Sequence, residues 1–233
     1  MKEIEENVSL IFSESMYEVP KVVEITSKDY VQYGENNTFT DYLLNLYMTS
    51  PEHNSIVKTI GEMIKGKGFK EPQTEELQLF IDNKYCREDL NEILARISFD
   101  LKLYGAFSLN IVWSKDKKNP TIAKIAYVDN SKVRIQKDGI ETKFRTVYYS
   151  NDWSNLRKKE NEIKFIQEFN TNTSDEEFET NQILYVKLTG PSQYYGIPDY
   201  IGGLKNIELS RAIDVYNLEN ADVLVGELFN NFK

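Results

Sequence analysis

The chain has 233 residues, 40% of them hydrophobic and 12% aromatic, with a formal net charge of −9. That apolar and ring content suffices for a core and argues against disorder along the whole length, while the negative charge disfavours a protein that grips nucleic acid by its phosphates. The single cysteine, Cys86, excludes an internal disulfide and fits a reducing compartment; no run approaches the roughly 18 apolar residues of a membrane span, and the acidic N-terminus does not read as a signal peptide.

Residues 1–31 hold seven acidic and three basic side chains with little periodicity. They are expected to form a loosely ordered acidic arm, with a short strand at 22–25. Helical spacing begins in TFTDYLLNLYMTSPEHNSIVKTIGEMIKGKGF. Thr40 is placed to cap a short helix carrying Leu43, Leu44, Leu46 and Tyr47. Ser50 caps the next, with Pro51 at the first helical position, where its missing N–H costs nothing, and Glu52 at the positive end of the dipole. Ile56, Val57, Ile60, Met63 and Ile64 form one apolar stripe there, and Gly66 and Gly68 end the helix. A short helix follows at 74–83. The best-patterned one is at 87–104, where Leu90, Ile93, Leu94, Ile97, Leu101 and Tyr104 recur at three- and four-residue steps before Gly105. Cys86, at its start, is expected to pack and not to react.

The period then falls to two. In GAFSLNIVW, Phe107, Leu109, Ile111 and Trp113 alternate with smaller or more polar residues, as in a half-buried strand. Further strands are expected at 122–128, 132–136, 144–149, 163–169 and 183–188, joined by polar, turn-rich connections. A last helix starts near Pro198 and runs past Leu218, with Leu209, Ala212, Ile213 and Tyr216 on one face. The class is therefore α+β: N-terminal helices, a central antiparallel sheet or small barrel, and a long C-terminal helix.

The residues carry little chemistry. The one histidine, His53, falls in the first turn of a capped helix among polar neighbours and reads as solvent-exposed or capping. There is no G-x-S-x-G elbow for a nucleophile, and one His with one Cys cannot make the usual zinc sets. A carboxylate-only magnesium site stays open as a third reading, because 37 acidic residues always offer pairs. GKGFK follows a helix instead of opening one, so it cannot aim a helix N-terminus at phosphate. The glycines at 190, 196, 202 and 203 match neither the P-loop nor the dinucleotide fingerprint. Basic runs at 65–70, 115–118 and 157–159 are short and read as solvated turns. The expectation is a non-enzymatic protein without cofactor or metal.

Four stretches, in order, carry a resemblance: YVQYGENNTFTDYLLNLYMTSPEHNSIVKTIGEMIKGKGF (30–69), DLNEILARISFDLKLYGAFSLNIVWSKD (89–116), IAKIAYVDNSKVRI (122–135) and YYGIPDYIGGLKNIELSRAIDVYNLENA (194–221). Together they span about half the chain. They resemble the portal proteins of tailed bacteriophages, particularly those of phages of Bacteroides and related hosts, over the N-terminal wing region only.

The resemblance implies a structural protein that forms a ring, twelve copies in the family, at one capsid vertex. There it serves head assembly, DNA packaging, genome ejection and head–tail connection. It implies as partners further copies of the chain, the terminase motor, capsid, scaffold and neck proteins, and double-stranded DNA passing through without sequence-specific binding. No membrane is involved. The location would be the portal vertex of the virion, and the host cytoplasm during assembly. The expected domain plan is the acidic arm at 1–31 and a wing-like domain at 32–233, with helices at 40–105, strands at 106–188 and a loop and helix at 190–229; the stem, clip and crown of the family are expected to be missing. Tyr194, Tyr195, Gly196, Pro198, Tyr200 and Arg211 are the candidate subunit-interface or positioning residues, aiming the final helix at a neighbour. The alternative is a stand-alone wing-like module that interferes with phage assembly.

Overall fold

The computed structural model describes residues 24–26, 28–70, 74–82, 88–116, 119–190 and 192–231, with side chains described through 221. Cys86 and residues 1–23 lie outside these. In chain order the strands and α-helices are β1 (Glu24–Thr26), β2 (Val31–Tyr33), α1 (Phe39–Thr49), α2 (Pro51–Lys65), α3 (Glu75–Ile81), α4 (Leu90–Tyr104), β3 (Ala106–Trp113), β4 (Ile122–Val128), β5 (Val133–Ile135), β6 (Thr146–Tyr149), β7 (Lys164–Glu168), β8 (Asn181–Lys187) and α5 (Leu204–Asn231). The class is α+β.

The helix starts follow local chemistry. The Ser50 hydroxyl accepts from His53 N–H at 3.4 Å, with Pro51 in the first turn of α2. Asp89 and Glu92 form a reciprocal capping box on α4, at 2.8 and 3.0 Å. Thr40 does not cap α1: the cap position is Thr38, and Thr40 is buried inside the first turn. Gly105 ends α4 in the left-handed region, at φ 73°.

Two expectations about the helices need correction. The stripe on α2 is mostly outside the core: Val57 is fully buried, but Ile56 is 55% and Met63 72% exposed. The buried face is instead the narrower row His53, Val57 and Gly61. Gly61 sets this, because a Cβ there would already touch the Phe99 backbone at 3.5 Å, so α2 and α4 meet nearly backbone to backbone. Secondly, α5 begins at Leu204 and not near Pro198; a 3-10 turn at Ile201–Gly203 comes first.

The large sheet is open and mixed, in strand order β4-β3-β8-β7-β6-β5. All neighbours are antiparallel except β7 and β8, which run parallel through Gln167↔Gln182 and Glu168↔Ile183. A wholly antiparallel sheet or barrel was the expectation. The connection at 169–180 is long enough to carry the chain across and restart it in the same direction, which a hairpin cannot do.

The small sheet β1–β2 is antiparallel and leans on β5 through a Tyr30↔Gln136 bridge. Tyr30 and Val31 are buried, so the expected acidic arm does not extend as far as residue 31. The main core joins β2, α1, α2, α4 and the sheet through Tyr33, Phe39, Leu46, Val57, Leu103 and Ile183. A second cluster of Tyr30, Tyr148 and Trp153 sits beside it.

Candidate subunit-positioning site

The segment ahead of α5 is held from four sides by residues distant in sequence. On the first side, Glu24 of β1 reaches the loop: its carboxylate accepts from the Tyr194 and Tyr195 N–H groups at 3.0 and 3.1 Å and from the Ser192 hydroxyl. On the second, the Tyr195 ring lies flat against Tyr33, with centroids 4.3 Å apart and planes within 8°. The Tyr195 hydroxyl donates to the Val31 carbonyl and accepts from Ile135 N–H at 3.2 Å, tying β2 to β5. Burial pushes this hydroxyl up, so it stays a protonated donor.

Gly196 is the third point. Its carbonyl accepts from the Tyr33 hydroxyl, and its N–H donates to the Tyr185 hydroxyl at 3.1 Å. A Cβ on Gly196 would lie 2.5 Å from the Gly105 carbonyl carbon, and one on Gly105 would lie 2.5 Å from that of Ile197. Only glycine at both positions allows this crossing.

The fourth side is α4. Lys102 is only 9% exposed, and its ammonium contacts both oxygens of Asp199 at 2.6 and 2.8 Å. The Tyr200 hydroxyl donates to the Leu103 carbonyl at 2.6 Å, and the Lys102 ammonium lies 5.8 Å from the Tyr200 ring centroid.

The sequence-derived candidates fall as follows. Tyr195, Gly196 and Pro198 are buried, while Tyr194 and Tyr200 are half-buried. Tyr194 accepts from Asp138 N–H at 3.2 Å. These five sit in one loop, and each bond named for them is to the chain's own domain. Arg211 is apart from them on α5, paired with Glu208 at 3.5 Å.

His53 is not the exposed or capping residue expected. It is 4% exposed and meets Tyr200 edge-on at 4.6 Å. Burial, and then the nearby Lys102 charge, hold its imidazole below the usual range, and its Nε2 has no hydrogen-bond partner among the described residues. It is part of the packing under the loop.

Sequence reasoning missed Tyr33, Glu24, Lys102 and Arg134 at this site. Arg134 is fully buried with no carboxylate within ion-pair reach among the described residues. It donates instead to Asn37 Oδ1 and the carbonyls of Asn37, Ser131 and Val133 at 2.7–3.1 Å, and lies 5.0 Å from the Trp153 ring centroid. The one available signal was a charged residue alternating with apolar ones inside a strand, VRI, or a helix end, LKLY.

The bonds, the ring contact and the glycine crossing fasten the segment ahead of α5 to β1, β2, β8 and α4. Among the described residues no group of three or more His, Cys, Asp or Glu could hold a metal ion, and no helix is long and apolar enough to cross a membrane.

No family profile and no curated protein matches the sequence. Among solved structures the fold is similar to a chain in the neck of an empty gene transfer agent (GTA) particle, computed with C6 symmetry. The TM-score is 0.56 at 11% identity, over 78% of this chain and 46% of that one. The two share a fold. This chain spans less than half the length of its neighbour.

Proposed function

We propose that this chain is a structural, ring-forming component of the head–tail vertex of a phage-like particle: a portal-type protein represented by its wing region, performing no chemistry. The observation that carries this reading is the fold shared with the particle-neck chain over 78% of the sequence. The four stretches resembling phage portals support the finer assignment.

The surface supports self-association. Leaving the domain, α5 carries Leu209, Ile213, Val215 and Leu218 at 42–65% exposure, and α2 presents Ile56 and Met63 elsewhere. Unlike apolar faces on one chain suit a heterologous contact, which closes into a ring only if the angle between neighbours is held. On this reading, residues 32–233 act as one wing-like unit. The Tyr194–Tyr200 loop sets the angle of α5, and Arg211 lies on the helix that meets the neighbour. Partners are further copies of the chain, the packaging motor and the capsid, scaffold and neck proteins. A net charge of −9 suits a conduit through which DNA must slide.

Mass photometry and negative-stain electron microscopy of the purified full chain, alone and co-expressed with a full-length phage portal, test this. Closed rings, or entry into the portal ring, are expected. A protein that stays monomeric at every concentration and never enters a ring overturns the reading.

A further inference from the structure

A groove of about 620 Å³ runs across β4, β3, β8, β7 and β6, on the side of the sheet where α4 packs on β3 and β4. Its apolar floor includes the half-buried Val128 and Ile166, and Arg96, Lys132 and Lys164 line it as cations. Arg96 is paired with Glu88 at 2.5 Å. Lys132 and Lys164 have no ion-pair partner among the described residues. Asp129 is the one carboxylate in the lining; its Oδ1 accepts from the Ser131 N–H and hydroxyl at 3.0 and 2.7 Å, and its single negative charge is outnumbered by the three cations. On a chain of net charge −9 this is a local reversal of sign.

We propose that this groove is a docking site for an extended acidic peptide segment of a partner protein. Its aliphatic side chains would lie on the floor, and alternate carboxylates would reach Lys132 and Lys164. Charge complementarity selects the occupant: two ammonium groups with no ion-pair partner among the described residues flank an apolar trough with a net positive lining, and a strand-like peptide presents both chemistries at a period of two. The rings argue against a nucleic-acid base. Tyr127 already carries the Arg96 guanidinium at 5.0 Å, and Tyr149 the Lys164 ammonium at 5.9 Å, so one face of each ring already meets a cation of the groove. The groove takes none of its lining from the loop ahead of α5, and its test does not depend on ring formation.

The experiment is fluorescence anisotropy of the full chain with a short labelled peptide bearing glutamate at alternate positions and valine between. Its glutamine analogue and a labelled oligothymidylate run in parallel. Saturable binding that weakens with salt is expected, absent for the glutamine peptide and reduced at least about tenfold in Lys132→Glu/Lys164→Glu. Lys132→Gln/Lys164→Gln, compared by thermal melting, separates lost charge from lost folding and is expected to bind weakly while melting like the parent. No binding of the acidic peptide, equal binding of the glutamine peptide, or unchanged affinity in the charge variants overturns the proposal. So does tighter binding of the oligothymidylate that the same variants abolish, which would make the groove a nucleic-acid site.

Discussion

Gly105 and Gly196 cross backbone to backbone, and a Cβ on either would fall 2.5 Å from a carbonyl carbon of the opposing segment. Gly105 also sits at φ 73°, where a side chain is strained, and its carbonyl accepts from Leu188 N–H at 2.8 Å. One crossing thus fixes the end of α4, the end of β8 and the entry to α5.

Gly105→Ala and Gly196→Ala are each expected to cost at least ~3 kcal/mol in urea denaturation or to prevent folding, since neither facing backbone can move aside cheaply. Gly202→Ala and Gly203→Ala, with open space around the added methyl, should stay within about 0.5 kcal/mol of the parent. Equal effects at all four positions would show that the crossing is not the cause.

The Lys102–Asp199 pair is predicted to respond asymmetrically. Asp199 is 63% exposed, so solvent screens the pair and its direct worth is ~1 kcal/mol or less. Asp199→Ala, however, strands a buried ammonium and should cost ~1–3 kcal/mol, whereas Lys102→Met removes the charge and keeps the packing. Thermal melting of the two variants should therefore place Lys102→Met above Asp199→Ala.

Asp100 is 2% exposed, and burial pushes its carboxyl up to about 8, against a partial offset from the Tyr127 hydroxyl at 2.9 Å. The folded protein keeps this proton until about pH 8, while the unfolded chain releases it near 3.8. Between those values the folded state binds more protons, so stability falls as pH rises. Urea midpoints measured from pH 5 to pH 9 should decline less in Asp100→Asn than in the parent. A parallel decline in both would remove Asp100 as its source.

Leu209→Glu and Ile213→Glu on α5 should weaken self-association by about tenfold or more while leaving the melting temperature nearly unchanged, because both side chains are about half exposed in the single chain. Sedimentation velocity beside calorimetry checks both halves. A drop in melting temperature without a change in assembly would place these residues in the chain's own fold.

The readable parts of the fold were local. Ser50–Pro51–Glu52 announces a helix start, Gly66 and Gly105 announce helix ends, and the alternation in 106–113 announces a strand, because caps and periodicity act within a few residues. The core stripe on α2 was misread for a reason outside that helix. Gly61 lets Phe99 of α4 approach closely, which turns the buried face toward His53 and away from Met63. The parallel pairing of β7 with β8 was equally invisible, since strand direction depends on where a connection returns and not on what the strand contains.

The amino-acid sequence by itself determined the class, most element positions, the scarcity of catalytic residue types and the special character of residues 194–200. Only the tertiary structure decided how that loop is held within the domain. The contacts that hold it join residues 97 apart, as in Lys102 with Asp199, and 163 apart, as in Tyr33 with Gly196. No local pattern encodes such partners, because burial and hydrogen-bond satisfaction at those positions exist only after the sheet and helices have closed around them.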